Sequence, residues 1–217
     1  MAVSLAKKIE DYVKIQLAGE PTGHDWYHVY RVRVLALKIQ AEEGGDKELV
    51  ELAALLHDLG DYKNYEFNEV KANLVLVGMM DVLEIERDMQ EKVLKIVKES
   101  QYRGSETKKP STIEGRIIQD ADWLDHVGAI GIARTFATGG RIGRILHDPN
   151  RKPRPRLSSS DYLTKKTAGT SFNYFYEKVL KLPTMMNTKL GKTMAEERVV
   201  FVQQFLDRFN AEWDCKK

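Results

Sequence analysis

One cysteine, Cys215, occurs among 217 residues, within the last three of the chain. No internal disulfide is therefore possible, and the position argues against a catalytic thiol. Long apolar runs are missing too: nothing approaches the roughly 20 residues that span a bilayer. Met1 to Glu10 lacks the apolar core of a signal peptide. A reducing, cytoplasmic setting with no membrane contact is the expectation. Charge of one sign is not in excess. The formal net charge of +2 is too small to imply nucleic-acid binding by itself. Alternating, strand-like stretches are scarce, and there is no internal repeat or low-complexity tract.

What is present is the composition of a water-soluble folded protein, with 42% hydrophobic and 30% charged residues. A chain of this length buries about 70% of its unfolded surface without any staple. Leu5, Ile9, Tyr12, Val13 and Leu17 recur at helical spacing before Gly19 to Gly23 breaks the pattern. Asp25 then reads as the cap of a second helix, with Val29, Val32, Leu35, Ala36 and Ile39 on its buried stripe and Gly44-Gly45 at its end. Asp46 caps a third helix, almost wholly apolar, that runs to Gly60 and carries His57 and Asp58. Further helical patterns cover 66–78, 84–100, 112–137, 158–181 and 191–213. The fold class is all-α, in one domain over 1–217, with a functional core at about 20–137 and a basic loop and further helices at about 138–217.

The basic residues cluster in one stretch: Arg141, Arg144, Arg151, Lys152, Arg154 and Arg156. Three of the six prolines, Pro149, Pro153 and Pro155, lie between Asp148 and Ser160. A loop of that length inside a compact domain is more often a lid or binding loop than a simple connector. No aromatic residues interleave with the charges to stack bases, which argues against nucleic acid as partner.

His57-Asp58 ends an apolar helix, where an ionisable pair needs something to offset its desolvation. A metal is such a partner, and nitrogen with carboxylate oxygen suits Mn²⁺, Fe²⁺, Zn²⁺, Co²⁺ or Ni²⁺. His28, on the second helix, is a candidate third ligand, with Arg31 one turn later on the same face, near any anion bound to the cation. The segment Asp120-Ala121-Asp122-Trp123-Leu124-Asp125 sets three acids into an apolar pattern. Asp122, between Ala121 and Trp123, is the one expected to point inward, while Asp120 and Asp125 read as solvated or capping.

The order His, then His-Asp on an apolar helix, then Asp in an Ala-Asp-x-Leu setting resembles the HD-domain metal-dependent phosphohydrolases. Within them the chain looks like the small stand-alone bacterial hydrolases of the YpgQ/YedJ type. Four stretches carry that likeness: His24-Asp25-Trp26-Tyr27-His28 with Arg31-Val32, Ala53 to Lys63 around His57-Asp58, Asp120 to Asp125 with Gly128-Ala129-Ile130-Gly131, and Phe175-Tyr176-Glu177-Lys178. The resemblance implies a compact helical bundle with additional C-terminal helices, in which His28, His57, Asp58 and Asp122 hold one divalent cation. Mn²⁺ is the first expectation, with Mg²⁺ added to the alternatives above. By matching position, Asp61 corresponds to the acid that assists the attacking water in such enzymes. His24 is either a neighbour of the site or a surface residue ahead of the helix.

In the chemistry that follows, Asp61 orients water as general base, and Arg31 and Lys63 balance charge on the phosphoryl oxygens. Arg144, His147, Arg151 and Lys152 take the distal phosphates of a nucleotide, and the proline-rich segment closes over them as a lid. The branch resembled is associated with hydrolysis of nucleoside triphosphates to monophosphate and pyrophosphate. Alternatives are a 5′-nucleotidase acting on monophosphates, a cyclic-nucleotide phosphodiesterase, and a nucleotide-sensing module without turnover. No histidine occurs between Asp58 and His126, which favours a single ion over the two-metal phosphodiesterases. Asp61 is followed by Tyr62 rather than a second acid, which lowers the alarmone-hydrolase reading. Retention of every ligand type argues against the sensor, and the helical surfaces leave room for a homodimer.

Overall fold

In the computed structural model, which describes residues 4–66, 68–164 and 167–216, Ser4 opens the first helix by accepting the Lys7 amide on its side chain. Helix α1 (Leu5–Gln16) buries Ile9 and Val13. Helix α2 (Trp26–Glu43) starts where expected, with Asp25 accepting the His28 amide, and ends at Gly44 with φ +82°. Helix α3 (Lys47–Leu56) is capped by Asp46, which accepts from Glu48 and Leu49. It stops at Leu56, four residues short of the expected end. The reason is local: His57 closes the helix with its ring bonded back to the Ala54 carbonyl, residues 57–60 form a turn, and a 3₁₀ turn (Tyr62–Tyr65) capped by Asp61 follows.

Helices α4 (Glu69–Val82) and α5 (Arg87–Ser100) follow. The expected helix at 66–78 lies a few residues further on, and residue 67 falls outside the described residues. The long helix expected over 112–137 is two, α6 (Ile113–Leu124) and α7 (Ala129–Arg141). Gly128 separates them at φ +92°, a left-handed conformation that ends any right-handed helix. The expected helix at 158–181 is likewise broken, into α8 (Ser159–Thr164), α9 (Ser171–Glu177) and a 3₁₀ turn (Val179–Lys181), because Thr170 caps α9 through its side chain. Residues 165–166 of that span are outside the described residues. The short α10 (Leu182–Met185) and the long α11 (Lys189–Trp213) complete the chain. Among the described residues there is no strand. The all-α expectation holds.

Helix α2 packs on α3 and α6, and α5 backs the same two helices, so the ends of α3 and α6 meet the first turn of α2. Leu55, Leu56, Ile117 and Leu124 are among the fully buried side chains that hold this bundle, each contributing roughly 1.5–3 kcal/mol by leaving water. A second apolar cluster, with Trp123, Phe175, Leu182 and Val202, seats α9 and α11 against the other side of α6. Asp120 ties the two together. Its buried carboxylate accepts from the backbone amides of Asn187 and Thr188 and from the Thr188 hydroxyl, fastening the start of α11 to α6. Expected to be solvated or capping, this acid is instead buried and holds Thr188, the residue that caps α11.

Candidate active site

His28, His57 and Asp58 converge because α2 begins where α3 ends. Their ligand atoms all lie within 4.8 Å of one another, and among the described residues they form the one such group of three or more His, Cys, Asp or Glu side chains. Nε2 of His57 is 3.2 Å from Nε2 of His28. Nε2 of His28 is 3.5 Å from Asp58 Oδ2, and His57 Nε2 is 3.5 Å from Asp58 Oδ1. Asp122, from the last turns of α6, stands beside the trio with Oδ1 3.4 Å from His28 Nε2.

The other edge of each ring shows what this cluster is built to hold. Nδ1 of His57 donates to the Ala54 carbonyl at 2.7 Å, and Nδ1 of His28 donates to Asp125 Oδ2 at 2.7 Å. Both partners are acceptors only, so the ring protons are spent there and the Nε2 lone pairs face each other and the carboxylates. Only a cation, a proton or a metal, reconciles the three mutually close acceptors of His28, His57 and Asp58, with Asp122 as a fourth acceptor facing His28 Nε2. Atoms bound at roughly 2.0–2.3 Å to a common ion stand roughly 3–3.6 Å from one another, the spacing found here. The donor set therefore fits a small divalent cation, with His rings oriented from behind by a carboxylate and a carbonyl in the usual manner.

Electrostatics agree. Burial and the Arg134 charge push the His28 pKa down, but Asp58, Asp122 and Asp125 outweigh them and raise it. Burial opposes ionisation of Asp122, yet the imidazoles of His126, His28 and His57 hold it well below the usual carboxylate range. Asp58 is lowered in the same way, against its burial, chiefly by His57 and His28.

A cavity of about 630 Å³ opens beside these groups, within the size range of small-ligand sites. Asp61, Lys63 and His24 line it, as does Arg144. Asp61 accepts the Lys63 amide at 2.9 Å and pairs with its ammonium at 2.6 Å. His24 leans on a small relay in which Glu20 holds Thr22 and the Thr22 hydroxyl meets His24 Nδ1 at 2.8 Å. Burial, with the Arg134 charge, pushes the His24 pKa down to about 3. Arg144 lies 4.8 Å over the Tyr174 ring.

Other expected site residues are placed elsewhere. Arg31 turns away from the cavity and grips Asp125 with Nε at 2.6 Å and Nη2 at 2.9 Å. That carboxylate, expected to be solvated or capping, is buried and takes His28, Arg31 and Arg134 at once. It holds a ligand histidine in position from behind. His147 packs among Phe172, Phe209 and Trp213, Arg151 pairs with Asp148 at the surface, and Lys152 is exposed. None of the three lines the cavity. The proline-rich segment is not poised as a lid either, because Arg154 is anchored to buried Glu177 through its amide, Nε and Nη2.

Residues that pattern reading passed over occupy the places left. Lys178 is only 2% exposed, with Nζ 4.4 Å from the Tyr102 ring centroid and 5.7 Å from that of Tyr162. Arg134, 6% exposed, leaves Nε and Nη2 buried and without a partner among the described residues. Both line the cavity. A signal for Lys178 existed: it follows Tyr174-Phe175-Tyr176 in a helical pattern, and the desolvation argument applied to His57-Asp58 applies equally to a lysine there.

A family model described as the HD domain matches residues 25–126. YpgQ of Bacillus subtilis is 35% identical over 208 residues, 93% of this chain and 90% of that one. A crystal structure of YpgQ was determined in complex with ADP; it superposes with a TM-score of 0.71 at 30% identity, covering 95% of this chain and 97% of YpgQ. A Lactobacillus plantarum protein gives a TM-score of 0.86 at 32% identity over 99% of both chains. An HD-superfamily hydrolase from Bacillus thuringiensis gives 0.71 at 37% over 96% of both.

Proposed function

This chain belongs to the HD-domain family and is a metal-dependent phosphohydrolase, and from that premise we propose that its substrates are nucleoside triphosphates, cut to monophosphate and pyrophosphate. The observation that carries the reading is the cavity itself. Beside a cation-binding cluster that would offset Asp58 and Asp122 it gathers four cationic side chains, Lys63, Arg134, Arg144 and Lys178, two of them paired with Asp61 and Asp125, more donors than a monophosphate requires and enough to spread along a polyphosphate. The ADP bound to YpgQ supports a nucleotide as the class of ligand.

His28, His57, Asp58 and Asp122 would hold the ion, with Mn²⁺ the first candidate. Bound there, a divalent cation would polarise a phosphoryl oxygen and make a water acidic enough to attack near neutral pH. The chain's own groups do the remaining work. Asp61 accepts the proton of the attacking water, its carboxylate held in place by the Lys63 amide and ammonium. Lys63 and the two partnerless donors of Arg134 take charge developing on phosphoryl oxygens. Lys178 and Arg144 bind the distal phosphates, so that remote binding energy positions the α-phosphorus. The basic stretch beyond Arg144 plays no part in this.

Incubation of the protein with Mn²⁺ and a nucleoside triphosphate in ¹⁸O-water, with products resolved by chromatography and mass spectrometry, tests the bond that is cut. Monophosphate carrying the label, together with unlabelled pyrophosphate and no diphosphate, is expected. Orthophosphate as first product, or a monophosphate turned over faster than its triphosphate, overturns the reading in favour of a nucleotidase. Preferential opening of a cyclic nucleotide overturns it in favour of a phosphodiesterase.

A further inference from the structure

His126 lies outside the groups given a role above, although it lines the same cavity. It stands in the turn between α6 and α7, with its amide bonded to the Trp123 carbonyl. Its backbone is clamped from the far side. A side chain on Gly131 would collide with the His126 carbonyl, so only glycine lets the first turn of α7 close over it. The imidazole is thereby fixed with its ring centroid 6.3 Å from those of both His24 and His28.

The decisive contact is on Nδ1. Arg134 Nη1 approaches it at 3.0 Å, and the same Nη1 is anchored by the Asp125 carboxylate at 3.0 Å and the Asp125 carbonyl at 3.3 Å. A guanidinium donates and never accepts. Nδ1 must therefore be the acceptor, and a proton on it would set two donors head to head. The ring is left neutral with its one proton on Nε2. Nδ1 also stands 3.9 Å from Asp122 Oδ1, beyond hydrogen-bond reach and further than the 3.0 Å contact with Arg134. His24 has the opposite frame: its Nδ1 meets the Thr22 hydroxyl, which also bonds Glu20.

We propose that His126 is a substrate-contacting catalytic residue, a neutral imidazole that donates Nε2–H to an oxygen of the substrate phosphate while Arg134, held by Asp125, dictates its tautomer. The proposal rests on the phosphohydrolase reading for the identity of that oxygen. A neutral donor suits the site physically. It supplies a hydrogen bond where charge develops without adding a further cation beside the metal cluster, and it needs no reorientation during the reaction. Asp125 then serves two histidines at once, holding His28 directly and His126 through Arg134.

The test pairs a spectrum with kinetics. In ¹⁵N-histidine-labelled protein, long-range ¹H–¹⁵N correlation should place the His126 proton on Nε2; a proton on Nδ1 overturns the proposal. His126→Ala, loaded with Mn²⁺ to the wild-type content, should lower kcat for a nucleoside triphosphate by roughly 10²-fold. His126→Gln, whose carboxamide offers an N–H at similar reach, should recover to within about 10-fold of wild type, a rescue that loss of packing would not give. Wild-type kinetics in His126→Ala, or a glutamine variant as slow as alanine, overturns it. Should the wild-type chain leave triphosphates intact, the reading of the reaction falls, and the spectrum alone decides the donor: Nε2–H sustains it and Nδ1–H removes it.

Discussion

Replacing Asp58 by alanine is expected to empty the cation site and lower phosphohydrolase activity by roughly 10³-fold or more, since an ion at such a site supplies several kcal/mol of transition-state stabilisation. The helix that carries it should survive. Leu55 and Leu56 are fully buried and keep the end of α3 in the core, and the backbone turn made by Gly60 onto Leu56 does not involve the Asp58 side chain. What the variant loses is one of the two acidic groups whose charge raises the pKa of His28 and faces its Nε2. Metal content by elemental analysis, far-ultraviolet circular dichroism and turnover should therefore part company: first and last collapse, the second does not move. Full activity in Asp58→Ala would refute the site.

Asp61→Asn is expected to do the converse, keeping the metal while lowering kcat by roughly 10²–10⁴-fold, the range for loss of a general base. Asparagine preserves the oxygen that accepts the Lys63 amide and caps the 3₁₀ turn over Tyr62–Tyr65, so the local backbone has no reason to shift. It removes the carboxylate that receives a proton and that pairs with the Lys63 ammonium. With KM changed far less than kcat, the loss would belong to the chemical step. Metal lost along with activity would instead make Asp61 a ligand, which its position lining the cavity, outside the cluster of His28, His57 and Asp58, does not suggest.

Local signals carried well from sequence to structure. Asp25 and Gly44 bound α2 as their capping chemistry demands, and the apolar face of α3 made His57-Asp58 conspicuous before any geometry was known. Non-local pairing did not carry. Arg31 sits one turn after His28 and on the same face, which pointed it at an anion; its partner Asp125 lies 94 residues away and draws it behind the site instead. The run from Arg141 to Arg156 advertised phosphate binding, but Arg154 is consumed by Glu177, 23 residues on, and Lys178, a solitary lysine, does not register as a run at all. Helical periodicity likewise passes straight through Gly128, because residues on both sides of it are apolar at the right spacing; only the positive φ reveals the break. His126 and Arg134, on either side of that break, line one cavity.

The central claim is that one divalent cation sits between α2, α3 and α6 on four protein ligands. Anomalous diffraction from crystals equilibrated with Mn²⁺ measures this directly. A single peak per chain, enclosed by His28 Nε2, His57 Nε2 and the carboxylates of Asp58 and Asp122, is the result expected; two peaks, or one peak held by any other set of side chains, would contradict it.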